Sequence, residues 1–323
     1  MGKQQTAPRD RLTSTVPSNA EARGYRARLP RFIAGIDVGE DFLDFAIVDR
    51  RRRRIEFARL DVRAIATDGE VDPLDDLTRR LEPIFDGCAD AALALVDSPR
   101  WPRDLDSSQS ALRFRVPVVP GRLIDERLRR LAADVRTAGL TRLSLAMFPT
   151  PPLAYFLGQI SAVRCKPHLR ALGSAMFATR RARPQGDPGG GTFTRFMIVG
   201  FAVYRALERI GVRCYEGFPD LQFRLWHGNR HLPSKVKAAD RRAALNARLA
   251  VVTTLAARLG LDGAACARTL DQADAAILAL SAAAPRLVSR AIVIEHQAEG
   301  RFWLTLPSFI KIRLILRGED KKL

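Results

Sequence analysis

The chain has 323 residues, enough for one large domain or two small ones, with 47% hydrophobic and 27% charged side chains. Lys and Arg outnumber Asp and Glu by 53 to 35, a formal net charge of +18, and the field of such a surplus favours a polyanion such as a phosphate backbone as partner. Four scattered cysteines (Cys88, Cys165, Cys214, Cys266) without a C-x-x-C pair argue against a compact zinc module and a disulfide scaffold, and the longest apolar run, Phe196 to Tyr204, is too short for a membrane span.

Residues 1 to 30 are rich in Arg, Pro, Ser and Thr without apolar periodicity and read as a flexible basic tail. No apolar leader core follows the start, so the expected location is cytoplasmic. Met1-Gly2 with Thr6 fits the loose myristoylation pattern, but little else supports an anchor. One domain is expected over residues 31 to 310, with a charged tail from 311 to 323.

The ordered part opens at Phe32-Ile33-Ala34-Gly35-Ile36-Asp37, a short apolar run that ends in a carboxylate. Leu43, Phe45 and Ile47 alternate after a turn at Val38 to Asp41, and Ile55 and Phe57 resume the alternation beyond five arginines, Arg50 to Arg54. Three hairpin-linked strands follow from this pattern, with Arg51 and Arg52 at a hairpin tip as candidate phosphate contacts. Leu74, Leu77, Leu81 and Ile84 recur at helical spacing over Asp72 to Phe85, and Ala91 to Val96 is a buried strand leading into Asp97-Ser98-Pro99.

From about residue 100 to 191 the sequence is irregular and Pro-rich, with a helix expected at Leu123 to Ala133; it reads as an insertion that shapes a cleft. Phe193 to Ile210 reads as a helix capped by Gly211, and Val212 to Tyr215 as a strand leading to Glu216. Residues 235 to 259 form a basic, Ala-rich helical stretch that opens on Lys235, Lys237, Arg241 and Arg242, either a phosphate-steering patch or the wet face of a helix. A helix over Cys266 to Ala283 and a hairpin pairing Ala291–Glu295 with Phe302–Leu306 complete the series.

Five acids stand where such a topology can gather them. Asp37, Asp97 and Glu216 end strands, and Asp271 and Asp274 share a helix face at i and i+3. Ligands of open α/β sheets bind at the edge where parallel strands end. A lone Asp after a strand is ordinarily a turn or cap residue, so the ordered set carries the argument. Carboxylates gathered in this way suit hard ions, Mg2+ or Mn2+, without His or Cys ligands. The ions would support in-line displacement at a phosphodiester in DNA or RNA. Asp37, Asp97, Asp271 and Asp274 are the expected metal ligands, and Glu216 a further ligand or an orienting group. Ala273, Ala275 and Ala276 would let the helix approach the sheet.

Gly35-Ile36-Asp37, Val96-Asp97-Ser98-Pro99, Tyr215-Glu216-Gly217-Phe218-Pro219 and the helix bearing Asp271 and Asp274 together resemble an uncharacterised-domain family of nucleases, number 429 in the usual numbering. Gly121-Arg122 with Asp125 through Arg130, and Arg301 to Leu304, add to a likeness that spans roughly residues 32 to 307. The resemblance implies an α/β, ribonuclease H-like mixed sheet with flanking helices and a large insertion after the fourth strand. It also implies a metal-dependent nuclease. Where that family has a Gly-Cys-type turn after the first Asp, this chain has Val38-Gly39-Glu40-Asp41. The late acid pair is also similar to that of Holliday-junction resolvases, and Gly35 to Val38 with Leu43-Asp44 to insertion-sequence transposases, whose serine-bearing second domain has no counterpart here.

Two rival readings compete. Gly35 to Gly39 and Asp187 to Phe193 look like the two phosphate loops of the actin, sugar-kinase and heat-shock-chaperone superfamily of nucleotide-binding phosphotransferases, although helix, not hairpin, follows the second. A catalytically silent nucleic-acid-binding module is the other. Histidines offer no metal pair, because Gly228 and Pro233 argue against a helix joining His227 to His231. Trp101, Trp226 and Trp303 suit stacking on bases or burial in a core.

Overall fold

A computed structural model describes residues 30–85, 92–100, 166–177, 191–227, 232–284, 289–296 and 300–307. The expected tails, the helix at Leu123 to Ala133, Trp101, and most of the expected insertion lie outside these residues. The described chain is α/β, with a mixed sheet flanked by helices.

Strand β1 (Phe32–Val38) runs antiparallel to β2 (Phe42–Asp49), which pairs antiparallel with β3 (Arg54–Asp61). Helix α1 (Pro73–Leu81) then leads to β4 (Ala92–Asp97), which pairs parallel with β1 on its other side. Asp72 caps α1, its carboxylate accepting from the backbone N–H groups of Leu74 and Asp75, and Pro73 takes the first helical position, where no N–H is needed. Helices α2 (Pro167–Phe177) and α3 (Gly191–Arg209) precede β5 (Arg213–Glu216), parallel to β4. Helices α4 (Pro219–His227), α5 (Arg241–Leu259) and α6 (Leu270–Ala283) follow, then the hairpin of β6 (Ser289–His296) and β7 (Gly300–Pro307). The order β3-β2-β1-β4-β5 is extended by β7 and β6, joined to β5 through the Glu216–Phe302 pair.

Alternation along the strands divides the core into two layers. Ala34 and Ile36 of β1 and Ala94 and Val96 of β4 pack with apolar residues of α1, α2 and α3. Ile33, Leu93 and Leu95 pack on the opposite face with α5 and α6. Two sequence expectations need correction. Residues 167–177, within the stretch read as irregular, form α2, whose N-terminus is tied to the first turn of the sheet through Lys166, 2.7 Å from Glu40 and 2.9 Å from Asp41. Helix α4, for which there was no separate sequence expectation, runs up to His227 because Leu221, Phe223 and Leu225 bury its inner face; residues 228–231, up to His231, lie outside the described residues. The helical stretch expected from residue 235 begins only at Ala238 as a 3-10 turn, so Lys235 and Lys237 lie in the turn before it.

Helix α6 packs tightly against β1. A methyl group at Gly35 would stand 1.9 Å from the Ala275 carbonyl oxygen and 2.7 Å from the Ala279 nitrogen, so only glycine admits the helix here. The alanines of α6 supply the other half of that fit, as its composition suggests, with Ala273, Ala275 and Ala276 all buried. Thr269 fixes where the helix starts, accepting from the Gln272 backbone N–H, while the Gln272 side chain accepts from the Arg268 N–H. That cap moves the start four residues past the expected Cys266.

Candidate metal centre

The strand register and the helix approach together bring three acids to one point. Asp37 sits beside Asp97 in the parallel β1–β4 register. Both continue the alternation of Ile33 and Gly35, and of Leu93 and Leu95, so both face α6. Asp274 projects from the buried side of that helix, 1% exposed. One carboxylate oxygen from each of Asp37, Asp97 and Asp274 lies within 4.8 Å of the others.

The electrostatics follow from that crowding. Burial, then repulsion from Asp274 and Asp97, pushes the Asp37 carboxyl well above the usual carboxylate range. Burial also raises Asp97, to about 7, against the pull of Lys235 and a hydrogen bond accepted from the Asp37 carboxyl. Asp274 is raised by burial, opposed by Lys235 and Arg248. Lys235 Nζ rests against Asp274 Oδ2. Burial opposes the charge on Lys235, but attraction to Asp274, Asp97 and Asp37 outweighs it and holds the ammonium well above its ordinary pKa.

A buried arginine backs the cluster. Arg248 of α5, 1% exposed, donates to Asp220 Oδ1 at 3.0 Å and to the Pro233 carbonyl at 3.2 Å. Its Nε faces Asp274 Oδ1 at 3.6 Å. Asp274 Oδ1 is buried and accepts no hydrogen bond among the described residues. Asp44, opposite Asp37 in the β1–β2 register, is neutralised by Arg59, which donates to its two oxygens at 3.0 and 2.8 Å.

The other expected ligands fall outside the triad. Asp271, one turn earlier on α6, has a side chain 56% exposed and lies 3.8 Å from Arg59, at the rim of the cluster. Glu216 pairs with Val96, one position short of Asp97. Alternation assigns it to the face opposite the triad, and the next residue confirms the parity: a methyl group at Gly217 would meet Leu278 of α6 at 2.6 Å. Glu216 is buried and acts on Asp97 through its charge.

The proposed phosphate contacts divide as well. Arg51 and Arg52 are exposed at the β2–β3 turn, where their backbone N–H groups donate to Asp49 Oδ1 at 2.9 and 3.2 Å. That turn is at the far end of β1, five residues or about 17 Å from Asp37 along the strand. Lys237 and Arg241 are exposed near the triad's end of the sheet; Lys235 is committed to Asp274. Trp303 is buried and Trp226 donates to Ser281 Oγ at 3.2 Å, so both serve the core.

Three residues escaped the sequence reading as parts of the site: Asp44, Arg59 and Arg248. Asp44 had a visible signal, an acid within an alternating apolar strand opposite Asp37. Arg248 had none, because one arginine in a basic helix is indistinguishable from its solvated neighbours until α5 is packed.

The chemistry of the triad's donors is compatible with a small divalent ion. Its donors are hard oxygens on three separate elements, and trans oxygens on Mg2+ stand about 4.2 Å apart, so small side-chain rotations close the 4.8 Å spread. Asp274 Oδ1, which faces Arg248 Nε at 3.6 Å, accepts no hydrogen bond among the described residues and is a further hard oxygen at the cluster. No helix among the described residues is long and apolar enough to cross a membrane. Comparisons of the chain with family models, with curated proteins and with solved structures return no match.

Proposed function

We propose that the protein is a divalent-metal-dependent nuclease with a ribonuclease H-like core, hydrolysing phosphodiester bonds at the Asp37–Asp97–Asp274 cluster. The observation that carries this reading is the convergence of three carboxylates from β1, β4 and α6, at the sheet edge where the parallel strands end. The order of the first five strands, an antiparallel three-strand unit followed by two parallel strands, supports the ribonuclease H-like assignment. The ordered likeness to the uncharacterised family supports the same identity.

A bound Mg2+ or Mn2+ would supply Lewis acidity at the phosphoryl oxygen and lower the pKa of an attacking water. Asp37, Asp97 and Asp274 would hold that charge in place. Arg248 holds Asp274 from behind, and Arg59 keeps Asp44 neutralised beside Asp37 and draws Asp271 to the rim. Glu216, on the opposite face, tunes Asp97 through space and is not a ligand in this reading. Exposed Lys237 and Arg241, beside the +18 surplus of the chain, are suited to the nucleic-acid backbone.

The test is cleavage of single- and double-stranded DNA and RNA by the purified chain with Mg2+, with Mn2+ and with chelator. Metal-dependent cleavage lost in Asp37→Asn is the expected result. Salt-sensitive binding without cleavage under any of these conditions would instead identify a silent binding module.

A further inference from the structure

The carboxylate cluster already contains a cation. Lys235 is the second residue of a tight turn, in which Ser234 Oγ accepts from the backbone N–H groups of Val236 at 3.3 Å and Lys237 at 3.4 Å. The turn is anchored behind by buried Leu232 and by the Pro233 carbonyl, held by Arg248. Val236, 88% exposed, and Lys237 point outward, whereas Lys235 reaches inward to Asp274 Oδ2. Its side chain keeps 37% of its surface open, so it lies at the mouth of the cluster with a path to solvent.

An ammonium and a divalent ion cannot both sit against one buried carboxylate oxygen without strong repulsion at low dielectric. The second Asp274 oxygen faces Arg248 Nε at 3.6 Å and makes no hydrogen bond among the described residues, so it gives the ammonium no better place to move within the cluster. The side that remains open is outward, where substrate would arrive.

We propose that Lys235 is the resident counter-cation of the carboxylate site: a divalent ion exchanges with it on Asp274, and the displaced ammonium meets the substrate's phosphate at the mouth. This rests on the metal-site reading above. It assigns Lys235 two positions, one balancing the acids in the ion-free protein and one contacting a phosphodiester in the loaded protein. The anchored 234–237 turn keeps the lysine within reach of both.

Binding of Mn2+ to the full chain, followed by electron paramagnetic resonance of the free ion, tests the exchange. Lys235→Met is expected to bind Mn2+ about tenfold more tightly than the unmodified protein, and Lys237→Met, which removes the same charge two residues away, within about twofold. Equal or weaker binding by Lys235→Met overturns the exchange while leaving the metal site standing; no Mn2+ binding by either protein overturns both. Acetic anhydride labelling of the unmodified protein keeps the test independent of how the variant folds. Mg2+ is expected to raise acetylation of Lys235 severalfold and leave Lys237 unchanged. A cleavage-resistant phosphorothioate oligonucleotide is then expected to suppress the labelling of Lys235 again. Labelling indifferent to Mg2+ overturns the exchange, and labelling raised by Mg2+ but indifferent to the oligonucleotide overturns the phosphate contact.

Discussion

The two ends of the β1–β2 hairpin carry acids under opposite regimes. At one end Asp49 receives both Nε and Nη2 of Arg31, at 3.0 and 2.6 Å, together with the backbone N–H groups of Arg51 and Arg52. The hydrogen bonds from Arg31 are the main reason its pKa falls to about 2. At the other end Asp37 meets Asp97 and Asp274, and its carboxyl is pushed the opposite way by burial and like charge. The same residue type on one hairpin is matched for stability in one place and left mismatched in the other. The proposed metal site would give that mismatch a role.

The sharpest way to break this contrast is to remove each acid in turn. Asp37→Asn is expected to cut metal-dependent cleavage by roughly a thousandfold or more, while raising the ion-free Tm by a few degrees, because a like-charge conflict is removed. Cleavage assays and calorimetry on the same preparation check both halves. A fall in Tm would show that the acid is structural after all.

Gly35→Ala attacks the packing that creates the mismatch. Its methyl group meets backbone of α6, which cannot rotate away, so a loss of about 3 kcal/mol is expected by denaturant unfolding, together with weaker Mn2+ binding. Asp49→Ala, at the matched end, is expected to cost about 2 kcal/mol through its charge-assisted hydrogen bonds and to leave cleavage intact.

The two ends also separate by pH. Asp97 has a folded pKa raised to about 7, so its contribution to stability is complete below about pH 4 and is lost as pH rises through about 7; Asp37 is raised as well, by burial and like charge, and acts in the same direction. Asp49 has a lowered folded pKa, and its contribution is present above about pH 4 and lost as pH falls through about 2. The ion-free protein should therefore lose Tm between pH 5 and 8, and Mn2+ should flatten or reverse that slope. A slope indifferent to Mn2+ would detach the metal from these acids. The smallest effect is expected at the exposed bases. Lys237→Ala and Arg241→Ala should each weaken nucleic-acid binding severalfold and reduce its salt slope by about one, whereas alanine at Arg51 and Arg52 should leave cleavage unchanged.

Much of the architecture was legible because periodicity is local. The strands through Asp37 and Asp97, the helix at Asp72, and the hairpin of β6 and β7 all announce themselves by alternation or by a spacing of three to four. Helix α2 was not legible, since Pro167 and the surrounding Pro-rich sequence mask an apolar face that is completed only against α3 and α1. The start of α6 was misplaced because Ala-rich sequence continues smoothly through a boundary that the Thr269 cap decides. In the site, Asp37, Asp97 and Asp274 were all recognisable as strand-end or helix-face acids, and so were Glu216 and Asp271.

What sequence alone determined, then, is which segments fold locally and which acids stand at their ends. Tertiary structure decided which of those acids meet. Register places Glu216 beside Val96, not Asp97, and one residue of parity sends it to the opposite face. The packing of α6 over Gly35 buries Asp274 and leaves Asp271 at the rim. The turn at Ser234 brings Lys235 from a distant part of the chain to Asp274. Propensity and periodicity act over a few residues, but a charged cluster depends on how separate elements pack, and only the assembled sheet and helices settle that.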